Sequence, residues 1–302
     1  MLGSVRRLRR LFIGGALVTV TGLLPLQTFA GHTSASAEDA TYDACGVVTT
    51  KSDGSPWACS FVDDFNGTTL DTTKWIVQET QKTGFRTDQT CYTASDKNVR
   101  VGDGLLTLTA RDEGAKFNCQ NAFGDFWTRY TGGMIGTKGK FGQAFGRFEV
   151  RAKLPSTRVS GIHGGFWMLP VVRRYGAWPL SGEIDVAEWW SVDPSLVMPS
   201  LHYMIRDSKA DSGWNCRITD LEAFHTYTLD WQATGLTFSI DGSVCFTRLP
   251  SSDGTLVAPA PFDQPFGMIL NMAVGKLSGV NKVTAATPFP ADYLVDYVKA
   301  WR

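Results

Sequence analysis

The chain has 302 residues, 29 basic and 29 acidic side chains, and six cysteines. Four of the basic residues (Arg6, Arg7, Arg9 and Arg10) fall in the first ten positions, which leaves 25 basic against 29 acidic in the rest. A mildly acidic protein has no electrostatic reason to hold nucleic acid, and this length suits one large all-β domain as well as two small ones.

Residues 1–37 read as a secretory signal peptide. The arginine cluster precedes an apolar run from Leu11 to about Leu26, and Thr28-Phe29-Ala30 or Ala35-Ser36-Ala37 offers small residues for cleavage. Arg9-Arg10-Leu11-Phe12-Ile13 is also weakly similar to a twin-arginine export signal. The run is short for a membrane span. The expectation is a secreted, extracellular protein with no stable membrane insertion after cleavage. Residues 38–56 are small and polar, and read as a loose N-terminal arm tied by Cys45. Residues 57–302 contain no linker and no repeat, and form one domain. Six cysteines in an exported chain predict disulfides. Fifteen pairings are open; sequential pairing, 45–59, 91–119 and 216–245, is the expected one.

Strand signals dominate the domain. Leu106, Leu108 and Ala110 alternate with Thr107 and Thr109. Residues 147–154 alternate charged with apolar over four pairs, and Tyr227, Leu229 and Trp231 alternate with polar neighbours. Leu236, Phe238 and Ile240 lead into Asp241-Gly242, a tight-hairpin signal, and Val244 and Phe246 resume the strand. Phe266 to Val274 suits a strand buried on both faces, and residues 293–301 form a closing strand. Only Asp220–Phe224 hints at a helical turn. Many short strands with turns between them predict a β-sandwich or barrel.

The segment Gly182-Glu183-Ile184-Asp185-Val186-Ala187-Glu188-Trp189 puts three carboxylates on one predicted strand. Like charges raise one another's proton affinity, so clustering them on an apolar framework is costly unless they are used. Strand alternation puts Glu183 and Asp185 on one face and Glu188 on the other. Either Glu188 faces away, or one residue between Asp185 and Glu188 is bulged out. With a bulge, Glu183 and Glu188 stand roughly 13 Å apart at Cα, and their carboxyls can approach to about 5–6 Å. That spacing belongs to retaining glycosidases.

Further segments resemble glycoside hydrolase family 16, the laminarinase-like β-jelly rolls, over about residues 57–302. They are 61–67 with Leu70-Asp71 and Trp75, Cys91-Tyr92 with Asn98-Val99, 146–155, Phe166-Trp167-Met168-Leu169-Pro170, Leu201-His202-Tyr203, 262–275 and 295–298. The resemblance implies an all-β jelly-roll sandwich of two antiparallel sheets with a concave cleft. The ExDxxE form matches its bulged branch, which includes endo-β-1,3-glucanases. It implies Glu183 as nucleophile, Asp185 as its assistant and Glu188 as acid/base. It further implies that Trp167 and Trp178 line the cleft, that Asn98 contacts sugar, and that His202 hydrogen-bonds Glu188 or the substrate. A structural Ca²⁺ is implied on the convex face, held by the Asp296 carboxylate and the carbonyls of Asp64 and Gly104. No cofactor is expected in catalysis.

Three departures stand out. His163-Gly164-Gly165 replaces a segment that carries a stacking Trp in relatives, Met134 replaces an Arg, and Gly275-Lys276 replaces Gly-Gly. The expected function is a secreted, monomeric, retaining endo-β-1,3-glucanase acting on β-glucan. The alternatives are a hydrolase or transglycosylase for another polysaccharide, such as mixed-linkage glucan or galactan, and a non-catalytic β-glucan-binding protein.

Overall fold

The computed structural model describes residues 40–302 except 52, 253 and 254. The expected signal peptide, residues 1–37, lies outside the described residues. Strands β1 (Tyr42–Asp43) and β2 (Gly46–Val47) form a small hairpin. Then follow β3 (Cys59–Asp63), β4 (Ile76–Val77), the four-residue helix α1 (Thr80–Thr83), β5 (Thr90–Tyr92) and β6 (Val99–Gly102). A long hairpin comprises β7 (Leu105–Cys119) and β8 (Phe126–Gly136). The remaining strands are β9 (Gly146–Lys153), β10 (Ile162–Pro170), β11 (Glu183–Trp190), β12 (Val197–His202), β13 (His225–Gln232), β14 (Gly235–Ile240), β15 (Ser243–Arg248), β16 (Phe266–Val274) and β17 (Ala291–Trp301).

These strands build the expected two-layer sandwich. One layer runs β12-β11-β10-β16-β8, and the other β7-β17-β9-β13-β14-β15. The ladder between Arg111–Cys119 of β7 and Phe126–Thr131 of β8 joins the layers along one side. Across the molecule, the 203–217 loop returns beside β12: Leu201 N–H donates to Asp211 O, Gly213 N–H to Pro199 O, and Val197 N–H to Cys216 O. The Cys216–Cys245 disulfide ties that loop to β15. All three disulfides follow the sequential pairing.

Alternation decides which side chains face inward. β9 alternates buried and half-buried residues along its whole length. The turn from β14 to β15 has φ of 50° at Asp241 and 77° at Gly242, as a tight hairpin between right-twisted strands requires. The interior is filled from both layers by Trp189, Trp231, Phe148, Phe166, Phe238 and Phe266, all essentially inaccessible. β16 is buried at every position. Its Phe266, Met268, Leu270, Met272 and Val274 enter the main core. On its other face Ile269 and Ala273 join Tyr92 and Met134 in a second apolar cluster, with Trp167, Phe85 and Leu169 packed against it.

Two expectations need correction. Residues 40–56 are not a loose arm: they belong to one compact unit with the rest of the domain. Cys45 packs with Trp57 and Trp301, Cys45 O accepts from Lys299 Nζ at 2.9 Å, and Ala58 exchanges backbone bonds with Arg302. Small polar residues hide this, because the anchoring comes from the chain's distant end. Residues 220–224 form turns and no helix, and the four-residue α1 had no sequence signal.

Trp189 has 0% exposure and its indole N–H donates to Pro194 O at 3.0 Å. Trp189→Ala should destabilise the fold by about 3–5 kcal/mol, read from the midpoint of urea unfolding.

Candidate active site

The carboxylates share one face because β11 carries one residue too many. Asp185 pairs with Ser200 and Glu188 with Met198, so three steps on β11 oppose two on β12. On the other side Trp167 pairs with Asp185 and Phe166 with Ala187, which leaves Val186 unpaired. This is the β-bulge that the sequence left as one of two possibilities. Its effect follows from the pairing. Trp167 and Gly165, partners of Asp185 and Glu188, are two apart on β10 and therefore share a face. His202, Ser200 and Met198 do the same on β12, with His202 opposite Glu183. Ile184, Ala187 and Trp189 point into the core.

Aromatic and imidazole groups surround the acids. Trp178, 58% exposed, donates its indole N–H to Glu183 Oε2 at 2.5 Å, and its ring centroid is 6.2 Å from that of His202. Trp190 donates to Glu188 Oε1 at 3.1 Å. Trp167 donates to Asn271 Oδ1 at 2.8 Å, Asn271 donates to Tyr92 Oη at 3.2 Å, and the Trp167 ring meets Phe85 edge-on. The acids thus lie among aromatic rings, with Trp178 beside Glu183, Trp167 across from Asp185 and Trp190 beside Glu188. Such a surface suits a sugar chain, whose rings offer apolar C–H faces and polar rims.

Burial and crowding redistribute protons among the acids. Burial, then the Asp185 charge, push the Glu183 carboxyl up to about 8; His202 and the Trp178 indole oppose this. Burial, then the Glu188 charge, raise Asp185 well above the usual carboxylate range, against Arg206. Burial also acts to raise Glu188, but the His163 imidazole, the Trp190 N–H and His202 outweigh it and hold Glu188 below its ordinary value. Burial lowers His202, against the Glu183 and Glu188 charges. Glu183 therefore favours its proton and Glu188 its charge, and the distribution of protons belongs to the cluster more than to single residues.

One substrate-binding expectation is corrected. Asn98 does not face the trough with a free amide. Its side chain is 2% exposed; Nδ2 donates to Thr109 O and Thr131 Oγ1, and Oδ1 accepts from Thr93 Oγ1. It fastens three segments of the fold. His202 is in the trough, with Nε2 2.8 Å from Asp185 Oδ2 rather than on Glu188, and its side chain stays 26% exposed toward the trough. His163, Trp190, Asn271 and Tyr92 were missed as site residues. Cross-strand pairing is the signal that finds them, and pairing is not visible along one strand.

The residues of the expected calcium site do not fit the ion well. The Asp296 carboxylate is already paired with Arg151, Oδ2 to Nη1 at 2.5 Å, so a cation stands where the metal's one charged ligand is needed. Asp64 and Gly104 would then offer two backbone carbonyls alone, a poor set for a hard ion.

Residues 85–298 match the family model described as "Glycosyl hydrolases family 16". The chain is 33% identical over 266 residues to the "Beta-glucanase" of Rhodothermus marinus, covering 83% of this chain and 88% of the relative. It is 32% identical over 261 residues to the "Glucan endo-1,3-beta-glucosidase A1" of Niallia circulans, covering 80% of this chain but 37% of that longer protein. The crystal structure of the laminarinase from Rhodothermus marinus superposes with a TM-score of 0.69 at 32% identity, over 82% of this chain and 97% of that one.

Two measurements check the electrostatics. A carboxyl raised from 4.5 to about 8 on folding keeps a proton that the unfolded chain loses, so its contribution to stability falls as pH rises through that window. Glu183→Gln should match the wild type in melting temperature near pH 4 and exceed it by a few degrees near pH 9. Chelation by EDTA should leave the melting temperature of the wild type unchanged; a fall restored by added Ca²⁺ would show that Arg151 yields to the ion.

Proposed function

The chain belongs to glycosyl hydrolase family 16, and from that premise we propose that it is a secreted, monomeric, retaining endo-β-1,3-glucanase acting on laminarin-like β-glucan. The observation that carries this reading is the Val186 bulge, which brings Glu183, Asp185 and Glu188 to one face. A double displacement needs two carboxyls on one trough, one ionised to attack carbon and one protonated to assist departure.

Glu183 attacks the anomeric carbon from below while Glu188 gives a proton to the departing glycosidic oxygen. Glu188 then takes a proton from water, whose oxygen displaces Glu183 and frees the product. Asp185, protonated and held by His202, donates a hydrogen bond that lets Glu183 keep its charge. The free site favours the charge on Glu188, so the charge must pass to Glu183 as substrate seats. The binding of a sugar chain over Trp178, which already bonds Glu183, excludes water from that end. No metal or organic cofactor takes part. The trough aromatics Trp167 and Trp178 hold the polymer by its apolar faces.

The chain's retention of all three acids favours catalysis over a purely binding role. Replacement of a stacking Trp by His163-Gly164-Gly165 weakens the grip on a strictly β-1,3 chain, which favours some activity on mixed-linkage glucan.

Glu183→Gln and Glu188→Gln should each lower reducing-sugar release from laminarin by about 10³-fold or more while glucan binding persists. Product followed by NMR should appear first as the β-anomer. Wild-type-like turnover in either variant, or initial α-anomer, would defeat the reading.

A further inference from the structure

His163 lies on β10 directly across from Trp190, with ring centroids 4.0 Å apart. Its Nε2 is 3.5 Å from Glu188 Oε1, just beyond a well-made hydrogen bond. Both ring nitrogens are buried, and neither has another hydrogen-bond partner. Buried polar atoms are nearly always paired. The other described histidines obey the rule: His202 meets Asp185, and His225 meets Asp241 and Asp220 O. His163 is thus held beside Glu188 by its tilted ring contact with Trp190, with its bonding capacity unspent. Gly165 stands opposite Glu188, so no side chain at that position screens the two. The other charged groups nearby are Lys276, whose Nζ is 5.7 Å from the Trp190 ring centroid on that ring's own account, and beyond Glu188 the pair Asp185–His202 with Glu183.

We propose that His163 is the positioning residue for Glu188, sharing one proton with it and supplying that proton when Glu188 protonates the leaving oxygen. The inference rests on the reading of Glu188 as acid/base. As substrate seats, the Glu183 proton passes to the Glu188–His163 pair; in the first step the ionised Glu183 oxygen then bonds to the anomeric carbon, the glycosidic carbon–oxygen bond breaks, and the departing oxygen takes that shared proton. The pair is left as neutral imidazole and carboxylate. In the second step water bonds to the anomeric carbon, the bond to Glu183 breaks, and water's proton returns to the pair. On product release that proton passes back to Glu183, so no proton is gained or lost over the cycle. This arrangement answers a difficulty of the free site, in which the group that must act as acid is held in its charged form by its neighbours. A proton accepted by the pair from Glu183 leaves Glu188 charged at rest and able to deliver once substrate is bound.

The test compares laminarin with a 2,4-dinitrophenyl β-laminaribioside, whose leaving group departs without a proton. His163→Phe keeps a ring against Trp190 and removes the nitrogens; His163→Gln keeps a polar group but cannot carry a proton between its atoms and Glu188. Both should lower kcat on laminarin by about 10-fold or more with KM within about 2-fold, and both should retain near wild-type turnover of the activated substrate. Glu188→Ala is the control and should show the same substrate dependence, more strongly. Equal losses on both substrates in both His163 variants, or undiminished kcat on laminarin, would overturn the role of His163 alone. Equal losses in Glu188→Ala would overturn the acid/base reading and the inference with it. If His163→Phe fails to fold, His163→Gln decides the question by itself.

Discussion

The whole site depends on a mismatch of count: three steps along β11 against two along β12 between Asp185 and Glu188. A β-strand cannot put residues at an odd spacing on one face. Insertion of Val186 as an unpaired residue breaks that rule once, at one place, and turns Glu188 to the side of Glu183 and Asp185. The cost is local, since Val186 is itself buried in the main core, so the irregular position still contributes apolar packing. Ile184, Ala187 and Trp189 remain inward, and Trp189 anchors the strand just past the bulge through Pro194 O. A regular strand would have sent Glu188 into an apolar interior, where an unpaired carboxylate is strongly disfavoured. The bulge is therefore as much a requirement of the fold as of the chemistry.

Once three acids are gathered, their surroundings must decide where charge resides. Each has its own nitrogen neighbour: Trp178 at Glu183, His202 at Asp185, and Trp190 with His163 at Glu188. Indole N–H groups stabilise a carboxylate without bringing a charge of their own, whereas an imidazole can exchange a proton with it. The site thus combines fixed donors with exchangeable ones, and the carboxyls are driven apart in acidity although they lie on a single strand. This is the arrangement by which one face can hold an acid and a base together.

Much of this was legible along the chain. Alternation in 147–153 and 226–231, and the Asp241-Gly242 turn, gave strands close to β9, β13, β14 and β15, because each face of those strands meets one kind of environment. The acid spacing admitted a bulge as one of two outcomes. The disulfides follow the order of the cysteines along the chain. What escaped the sequence was pairing across strands. His163 is remote from Glu188 in number but adjacent in register. His202 is directly opposite Glu183, yet reaches diagonally to Asp185. Asn98 has the look of an open polar contact, but three hydroxyl and carbonyl groups from separate segments consume it. The tethering of residues 40–56 likewise depends on Lys299 and Arg302, at the far end of the chain.

The return of the 203–217 loop along β12 has a consequence for how molecules meet one another. A bare outer strand offers unpaired amides and carbonyls to any similar strand, and is a common starting point for intermolecular sheet growth. Here the backbone of Leu201, Pro199 and Val197 is already engaged by Asp211, Gly213 and Cys216, and the Cys216–Cys245 bridge keeps that cover from peeling away. The rim nearest the three acids is thereby closed to self-templating, so crowding at high concentration has no ready route to bury the trough.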